Sequence, residues 1–419
     1  MKSSEFISRR SKLVDKMADN SVLILFSGLP IRSSADAEYG PFHANRNFYY
    51  LTGIDQQNSA LVIVKADQAV STYLFIDEYD AHKEKWTGKV LLPIEASNLS
   101  GIHNVLVRST LDTKISEVLK KENNQYGQIE RVYLDFDQDG PIMKKITLKE
   151  FQFKLANEYG YKAEDIFKEI VLLRMVKSSE EISALRQAIQ ITNEGLELMV
   201  SKLAPEMYEY QARALFEFVL DYGHHTEVSF ETIAASGENG VILHYPQLDR
   251  LMQSGDLLMT DLGAKYDHYC ADISRTYPVN GKFSPIQAKI YDIVVECNKA
   301  VINYIKPGLT RSDLQKFTIE FLTKNLLAAK LIDKAEDISE VYYHNVSHHL
   351  GLDTHDVSLL DLPLAPGNVV TVEPGLYFKK YNIGIRIEDD VLVTPTGSEN
   401  LSKIIIKERK DIEAYFKHR

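Results

Sequence analysis

Apolar positions along the chain follow two periods, and the balance between them shifts near residue 173. Val22-Leu23-Ile24-Leu25-Phe26 is a continuous apolar run that stops at Ser27-Gly28, as a strand buried on both faces would. Ala60-Leu61-Val62-Ile63-Val64, Tyr73-Leu74-Phe75-Ile76 and Arg131-Val132-Tyr133-Leu134-Asp135 repeat the pattern, and helical periods fall near 112–122 and 144–158. Alternating strands and helices predict a small α/β domain over residues 1–172. Beyond it, Ser178 precedes Glu181 by three residues, the spacing of a capping box with Ser178 as N-cap. A long amphipathic helix to about Ser201 follows, and a second helix near 208–222. After Gly223 the chain turns to strands and tight turns. Helices return near 285–305 and 311–329, and strands are expected to dominate from 341 to 407. Residues 173–419 therefore form a second, mixed domain, in keeping with a length of 419 residues and a soft prior of roughly 150 residues per domain.

Composition narrows the class. Hydrophobic residues are 44% and charged residues 26%, enough to bury sizeable cores and inconsistent with a disordered chain. Lys+Arg at 48 against Asp+Glu at 59 leaves a net charge of −11, which disfavours nucleic acid as a partner. Val22–Phe26 falls far short of the roughly 20 residues that span a bilayer, so no membrane partner is expected. The N-terminus mixes charges of both signs and has no signal-peptide core. Cys270 and Cys297 form no CxxC pair and suit a reducing compartment. A cytoplasmic protein is the expectation.

Candidate chemistry gathers in three places. Leu257-Leu258-Met259-Thr260-Asp261 and Tyr269-Cys270-Ala271-Asp272-Ile273 read as the arms of a hairpin. A turn centred between Tyr266 and Asp267 would set Asp261 opposite Asp272 on one sheet face, a repulsive arrangement without a cation. Strand-end aspartates facing solvent are the competing reading. Val369-Val370-Thr371-Val372-Glu373 and Gly384-Ile385-Arg386-Ile387-Glu388 repeat the device with a longer turn. There Glu373 ends an apolar strand, where an unpaired carboxylate is costly. A salt bridge from Glu388 to Arg386 or a lysine is the alternative. Finally, His344, His348, His349 and His355 lie within twelve residues. A lone histidine is usually a satisfied polar residue, but clustering favours a ligand role for at least one. The segment has no HExxH. Four carboxylates and an imidazole suit Mn²⁺, with Co²⁺ and Zn²⁺ within range, and a charge of −4 would balance two divalent ions. Such a pair would clamp and deprotonate a bridging water.

The segments Asn239-Gly240-Val241-Ile242-Leu243-His244-Tyr245, Asp261 to Asp272 with Ile273-Ser274-Arg275-Thr276, Ser347-His348, Val372-Glu373-Pro374-Gly375 and Ile387-Glu388-Asp389 resemble the aminopeptidase P branch of the pita-bread metallopeptidases. In the N-terminal part, Ser34-Ala35-Asp36-Ala37-Glu38-Tyr39 and Arg46-Asn47-Phe48-Tyr49-Tyr50-Leu51-Thr52-Gly53 are similar to that branch's N-terminal domain. The resemblance covers essentially the whole chain. It implies a creatinase-like, ribonuclease H-like α/β domain before a pita-bread α+β catalytic domain. It also implies hydrolysis of the N-terminal Xaa-Pro bond by a hydroxide bridging two metals, on peptides with proline second. Asp261, Asp272, His348, Glu373 and Glu388 would be the ligands, with Glu373 also moving protons. His244 and His355 match histidines that bind substrate or transition state, and His344 one lining the proline pocket. Arg386 and Asp36 match residues near the substrate entrance, and Tyr377 a tyrosine beside the metals. Trp86 matches a tryptophan lent to a neighbouring subunit, so a homodimer or homotetramer is implied. Ser274 stands where threonine is common, and His349 where a large aromatic is. Ser236–Gly240 reads as a turn positioning His244, and His224-His225 receive no role. Rival readings are a prolidase acting on dipeptides, the metal-free creatinase branch, and a non-catalytic peptide-binding module. Retention of all five ligand positions weighs against the last two.

Overall fold

The computed structural model describes residues 1–30, 42–120, 124–136 and 142–418. The chain divides into two compact units, Met1–Arg174 and Met175–Arg419; the division falls inside the helix Phe167–Met175.

The first unit is built on a six-stranded mixed sheet. Its order is Asn104–Val107, Ala69–Ile76, Ala60–Ala66, Ser21–Phe26, Arg131–Leu134 and Glu164–Asp165. The apolar runs form its centre as predicted, because Val22, Ile24, Val62, Val64 and Val132 pack into one buried cluster with Leu111, Ile115 and Val118. Five helices were not visible in the apolar pattern: Ala81–Thr87, Pro93–Ser100 and Phe167–Met175, and the two described next. Ser3–Val14 docks through Arg10, whose guanidinium donates to the carbonyls of Leu51 (2.7 Å) and Ser100 (2.9 Å). Arg46–Thr52 is buried from Asn47 to Thr52, so it shows no polar face and no helical period. Its ends are nonetheless marked. Asn45 accepts from the amides of Asn47 and Phe48, and Gly53 closes the helix at φ 69°, a left-handed conformation that suits glycine.

The second unit begins with the helix Ser179–Lys202, capped as predicted. Ser178 Oγ accepts from the Glu181 amide, and Glu181 Oε2 accepts from the Ser178 amide at 2.9 Å. Helices Glu209–Phe218, Pro285–Tyr304 and Arg311–Ala328 follow. They surround two three-stranded antiparallel sheets: Ile273–Pro278, Leu257–Leu262, Ile233–Ser236, and Val369–Val372, Asp389–Val393, Ser398–Asn400. The expectation of strands from 341 onward is corrected. Residues 343–368 are irregular, apart from a single bridge between His349 and Val370. This segment follows the strand Val369–Val372 but bonds to it unevenly, through Leu350 N to Val369 O, Thr371 N to His348 O and Glu373 N to Val346 O. The chain closes on a helix, Arg409–His418.

Candidate metal centre

The site lies within the second unit, where the two carboxylate hairpins meet. In the first, Ser274 faces Asp261 and Ile273 faces Leu262. Tyr266 pairs with Tyr269 around a two-residue turn of Asp267 and His268, both left-handed at φ 50° and 69°. The turn therefore comes one residue later than the spacing predicted. Asp261 and Asp272 are diagonal neighbours, not opposed ones. The strands approach so closely at Gly263 that an added Cβ would run into the Ala271 carbonyl.

The second hairpin keeps the predicted register. Val372 faces Asp389 and Gly375 faces Arg386, so Glu373 and Glu388 fall opposite one another in the continuous pairing. Its turn passes through Lys379–Tyr381 and Asn382 at φ 53°.

Side chains of the second hairpin tie it to the first. The Glu388 amide donates to the Ser274 carbonyl at 3.0 Å. Arg386 donates from Nη2 to Asp261 Oδ2 (2.6 Å), from Nε to Ser274 Oγ (2.8 Å) and from Nη1 to Tyr377 Oη (3.2 Å). Ser274 Oγ lies 3.1 Å from Asp261 Oδ1 and 2.9 Å from Glu388 Oε2. The hydroxyl common to serine and threonine is the functional part at this position.

His348 enters from the irregular segment. Its Nδ1 lies 3.0 Å from the His349 carbonyl, which requires Nδ1–H and leaves the Nε2 lone pair outward in the neutral ring. That Nε2 lies 3.3 Å from Asp272 Oδ2, 3.6 Å from Glu373 Oε1 and 3.9 Å from Glu388 Oε1. Asp272, His348 and Glu388 can present one ligand atom each within 4.8 Å of one another. Burial raises the pKa of Asp272 and Glu388 well above their ordinary values; the negative charges of Asp261, Asp390 and Glu373 add to it at Asp272, and those of Asp272, Glu373 and Asp261 at Glu388. Burial also lifts Glu373 to about 7, against the opposing charges of His348 and Arg386. Carboxylates so placed resist ionising together unless positive charge enters among them. Oxygen donors with one imidazole fit a divalent cation of the Mn²⁺ to Zn²⁺ range.

The remaining predicted residues divide into two groups. His344, Tyr377 and Arg386 form a hydrogen-bonded row: Arg386 donates to Tyr377 Oη, and Tyr377 lies 2.9 Å from His344 Nε2. Burial, then the Arg386 charge, lowers His344 to about 4, so it is neutral; its Nδ1 donates to the Asn345 carbonyl at 2.8 Å, which leaves Nε2 to accept the hydrogen bond from Tyr377. The same Nδ1 stands 3.7 Å from Glu373 Oε2. His355 packs its ring 4.2 Å from that of His348, and burial lowers its pKa. His355, His244, Asp261 and Asp272 line a cavity of about 390 Å³. His244 follows the turn Gly237–Val241, held where Gly240 touches Gly384; a Cβ on Gly384 would run into the Gly240 carbonyl.

His349 is buried beside the Lys177–Asp356 ion pair (2.9 Å) and does not line that cavity. His224 lies 2.7 Å from Glu194. Trp86 belongs to the first unit, on the helix Ala81–Thr87, and is 78% exposed. Asp36 lies outside the described residues.

Sequence reasoning passed over the layer beneath the ligands. Asp390 Oδ2 accepts from the Asp272 amide at 3.2 Å. Arg275 is fully buried and donates to the Glu388 carbonyl (2.6 Å) and to Asp389 Oδ1 (2.7 Å), while Lys407 also meets Asp389. The acidic run Glu388-Asp389-Asp390 in an otherwise apolar strand was the available signal.

Known proteins share this arrangement. Residues 183–395 match metallopeptidase family M24, and residues 6–126 match the aminopeptidase P N-terminal domain. The Xaa-Pro aminopeptidase of Escherichia coli K12 is 33% identical over 98% of this chain and 97% of its own. A Bacillus anthracis structure solved under a provisional aminopeptidase P name superposes with a TM-score of 0.95 at 39% identity, covering 100% of this chain and 99% of that one. Zinc-substituted E. coli aminopeptidase P with bound product superposes at 0.90 and 30% identity, over 100% and 99%. The chain belongs to metallopeptidase family M24. Within that family it is a metallo-aminopeptidase, with the aminopeptidase P N-terminal domain ahead of the catalytic one.

Proposed function

We propose that this chain removes the first residue from peptides whose second residue is proline. Asp261, Asp272, His348, Glu373 and Glu388 would hold two divalent cations, Mn²⁺ before Co²⁺ or Zn²⁺. The observation that carries the reading is the convergence of three carboxylates on His348 Nε2 within 3.9 Å. The substrate class comes from the names of its relatives, Xaa-Pro aminopeptidase and aminopeptidase P. Bound there, the cations supply Lewis acidity and lower the pKa of a water.

The chain's own groups do the rest. Asp261 and its neighbouring acids anchor the free amine of the peptide, which confines cleavage to the N-terminus. Glu373 takes a proton from water and delivers it to the departing proline nitrogen. His355 and His244 bind oxygens that change geometry at the scissile carbonyl. His344 would line the proline pocket, Tyr377 would act beside the metals, Arg386 and Asp36 would serve substrate entry, and Trp86 would serve a neighbouring subunit's site. The domain 1–172 controls substrate access and assembly into a homodimer or homotetramer, and residues 173–419 carry the chemistry, in the cytoplasm.

The test is dialysis against chelator, then reloading with Mn²⁺, Co²⁺ or Zn²⁺ singly and assay of Xaa-Pro against Xaa-Pro-Yaa. Metal-dependent release of Xaa from the tripeptide is expected. Cleavage of the dipeptide alone would make the protein a prolidase, and metal-independent turnover would overturn the metal reading.

A further inference from the structure

The glutamate hairpin loses one ladder bond at the point where it carries its carboxylates. In the continuous pairing Pro374 falls opposite Ile387, and the Ile387 amide donates to the Pro374 carbonyl at 3.2 Å. The return bond cannot form, because proline has no N–H. The Ile387 carbonyl thus lacks its ladder donor in a residue with zero exposure, where an unmade hydrogen bond is costly. The neighbouring amides do not close the gap. Those of Glu373 and Glu388 turn outward, to the carbonyls of Val346 and Ser274.

Asn298 fills the break from the helix Pro285–Tyr304, itself at zero exposure. Its Nδ2 lies 2.9 Å from the Val372 carbonyl and 3.4 Å from the Ile387 carbonyl. Those residues immediately precede Glu373 and Glu388, and an amide NH2 carries one hydrogen for each carbonyl. Asn298 Oδ1 accepts from Lys407 Nζ at 2.6 Å. A lysine only donates, so this contact fixes which end of the amide faces the carbonyls. Lys407 is in turn held by Asp389. We infer that Asn298 is a positioning residue of the metal centre. Its side-chain amide replaces the donor missing at Pro374 and sets the spacing of the two strands at the glutamates. The inference rests on the metal reading above. Removing a group that orients metal ligands typically costs about 10–100-fold in metal affinity.

The test is the Kd for Mn²⁺ of the chelator-treated whole chain, measured by calorimetric titration. Asn298→Leu keeps a side chain of similar size, removes the amide and should weaken Mn²⁺ by about 10–100-fold. Asn298→Ala carries the same expectation should Asn298→Leu not fold. Val295→Ala removes buried packing from the same helix without removing a side-chain hydrogen bond, and should leave the Kd unchanged. Pro374→Ala returns an N–H opposite Ile387, so in that background Asn298→Leu should cost at least about threefold less in affinity. Unchanged Mn²⁺ affinity on loss of the amide would overturn the inference. So would an equal loss in Val295→Ala, or an equal cost with and without Pro374→Ala. Wild-type protein with no affinity for Mn²⁺ would overturn the metal reading and this one with it.

Discussion

The two carboxylate hairpins differ in what sets their register. In the aspartate hairpin the pairing is dictated by a tight turn, Asp267-His268, whose two left-handed residues decide where the chain reverses. Sliding the turn by one residue moved Asp272 from opposite Asp261 to a diagonal, and put Ser274 in its place. In the glutamate hairpin the register runs through two successive ladders, Val369–Val372 with Asp389–Val393 and Gly375–Phe378 with Ile383–Arg386. Eight successive pairs, almost all buried, over-determine it, so a long loop could not shift it. A short turn is a local decision that composition predicts poorly when neither residue is glycine. A long, buried ladder is a cooperative one that spacing predicts well.

The largest expected effect comes from the glutamate hairpin. Glu373→Gln keeps the shape but removes both a ligand charge and the proton-carrying group, so kcat should fall by roughly 10³-fold or more, with weaker metal retention. Near-normal turnover in metal-loaded mutant protein would detach Glu373 from the chemistry.

Next comes the joint between the hairpins. Arg275 sits in the first and reaches Asp389 and the Glu388 carbonyl in the second, at zero side-chain exposure. Arg275→Ala leaves Asp389 buried with only Lys407 for compensation and should cost about 3–5 kcal/mol in urea unfolding. A loss under 1 kcal/mol would mean the hairpins hold together without it.

A third test uses pH. With metal removed by chelator, Glu373 is raised from 4.5 to about 7, and Asp272 and Glu388 are raised well above their ordinary values. Between those limits these carboxylates bind more protons in the folded state than in the unfolded one. The carboxylate contribution should therefore be largest on the acid side and fall as pH rises from about 4.5 through 7, by on the order of 3 kcal/mol for Glu373 alone; the lowered His344, His349 and His355 act in the opposite sense below about 6.5, so the contribution is read as the difference in slope between wild type and Glu373→Gln. Saturating divalent metal should abolish or reverse that slope. A pH slope identical in chelated wild type and Glu373→Gln would contradict the raised Glu373.

The smallest effect tests the aspartate turn itself. His268→Gly removes the side-chain penalty at φ 69° and should stabilise by about 0.5–1 kcal/mol with metal content unchanged. Destabilisation would show that the His268 side chain, and not the turn geometry, holds the register.

Several elements were legible before any coordinates. The central strands of the first sheet, the capped helix after Ser178 and the helices of the second unit could be read because each carries its own local signal: an apolar run, a 3.6-residue period or a capping pair. The helix Arg46–Thr52 escaped because burial on all sides erases the period. The irregular path of residues 343–368 escaped because its hydrogen bonds divide between a neighbouring strand and turns within the segment, such as Asp356 N to His349 O, which leaves no single period. The chain order alone also carried the residue types for a carboxylate and imidazole site, since acids embedded in apolar strands are expensive without a cation. What only the tertiary structure decided is how those groups meet. Arg386 clamps Asp261 while Ser274 links Asp261 and Glu388. The His349 carbonyl turns His348 Nε2 toward the acids, and Asp390 and Arg275 support them from beneath. These contacts join residues more than a hundred positions apart, apart from the local bond at His348 and the Ser274–Asp261 contact within the first hairpin. Their energies depend on burial and distance, quantities that exist only once the two hairpins have packed together.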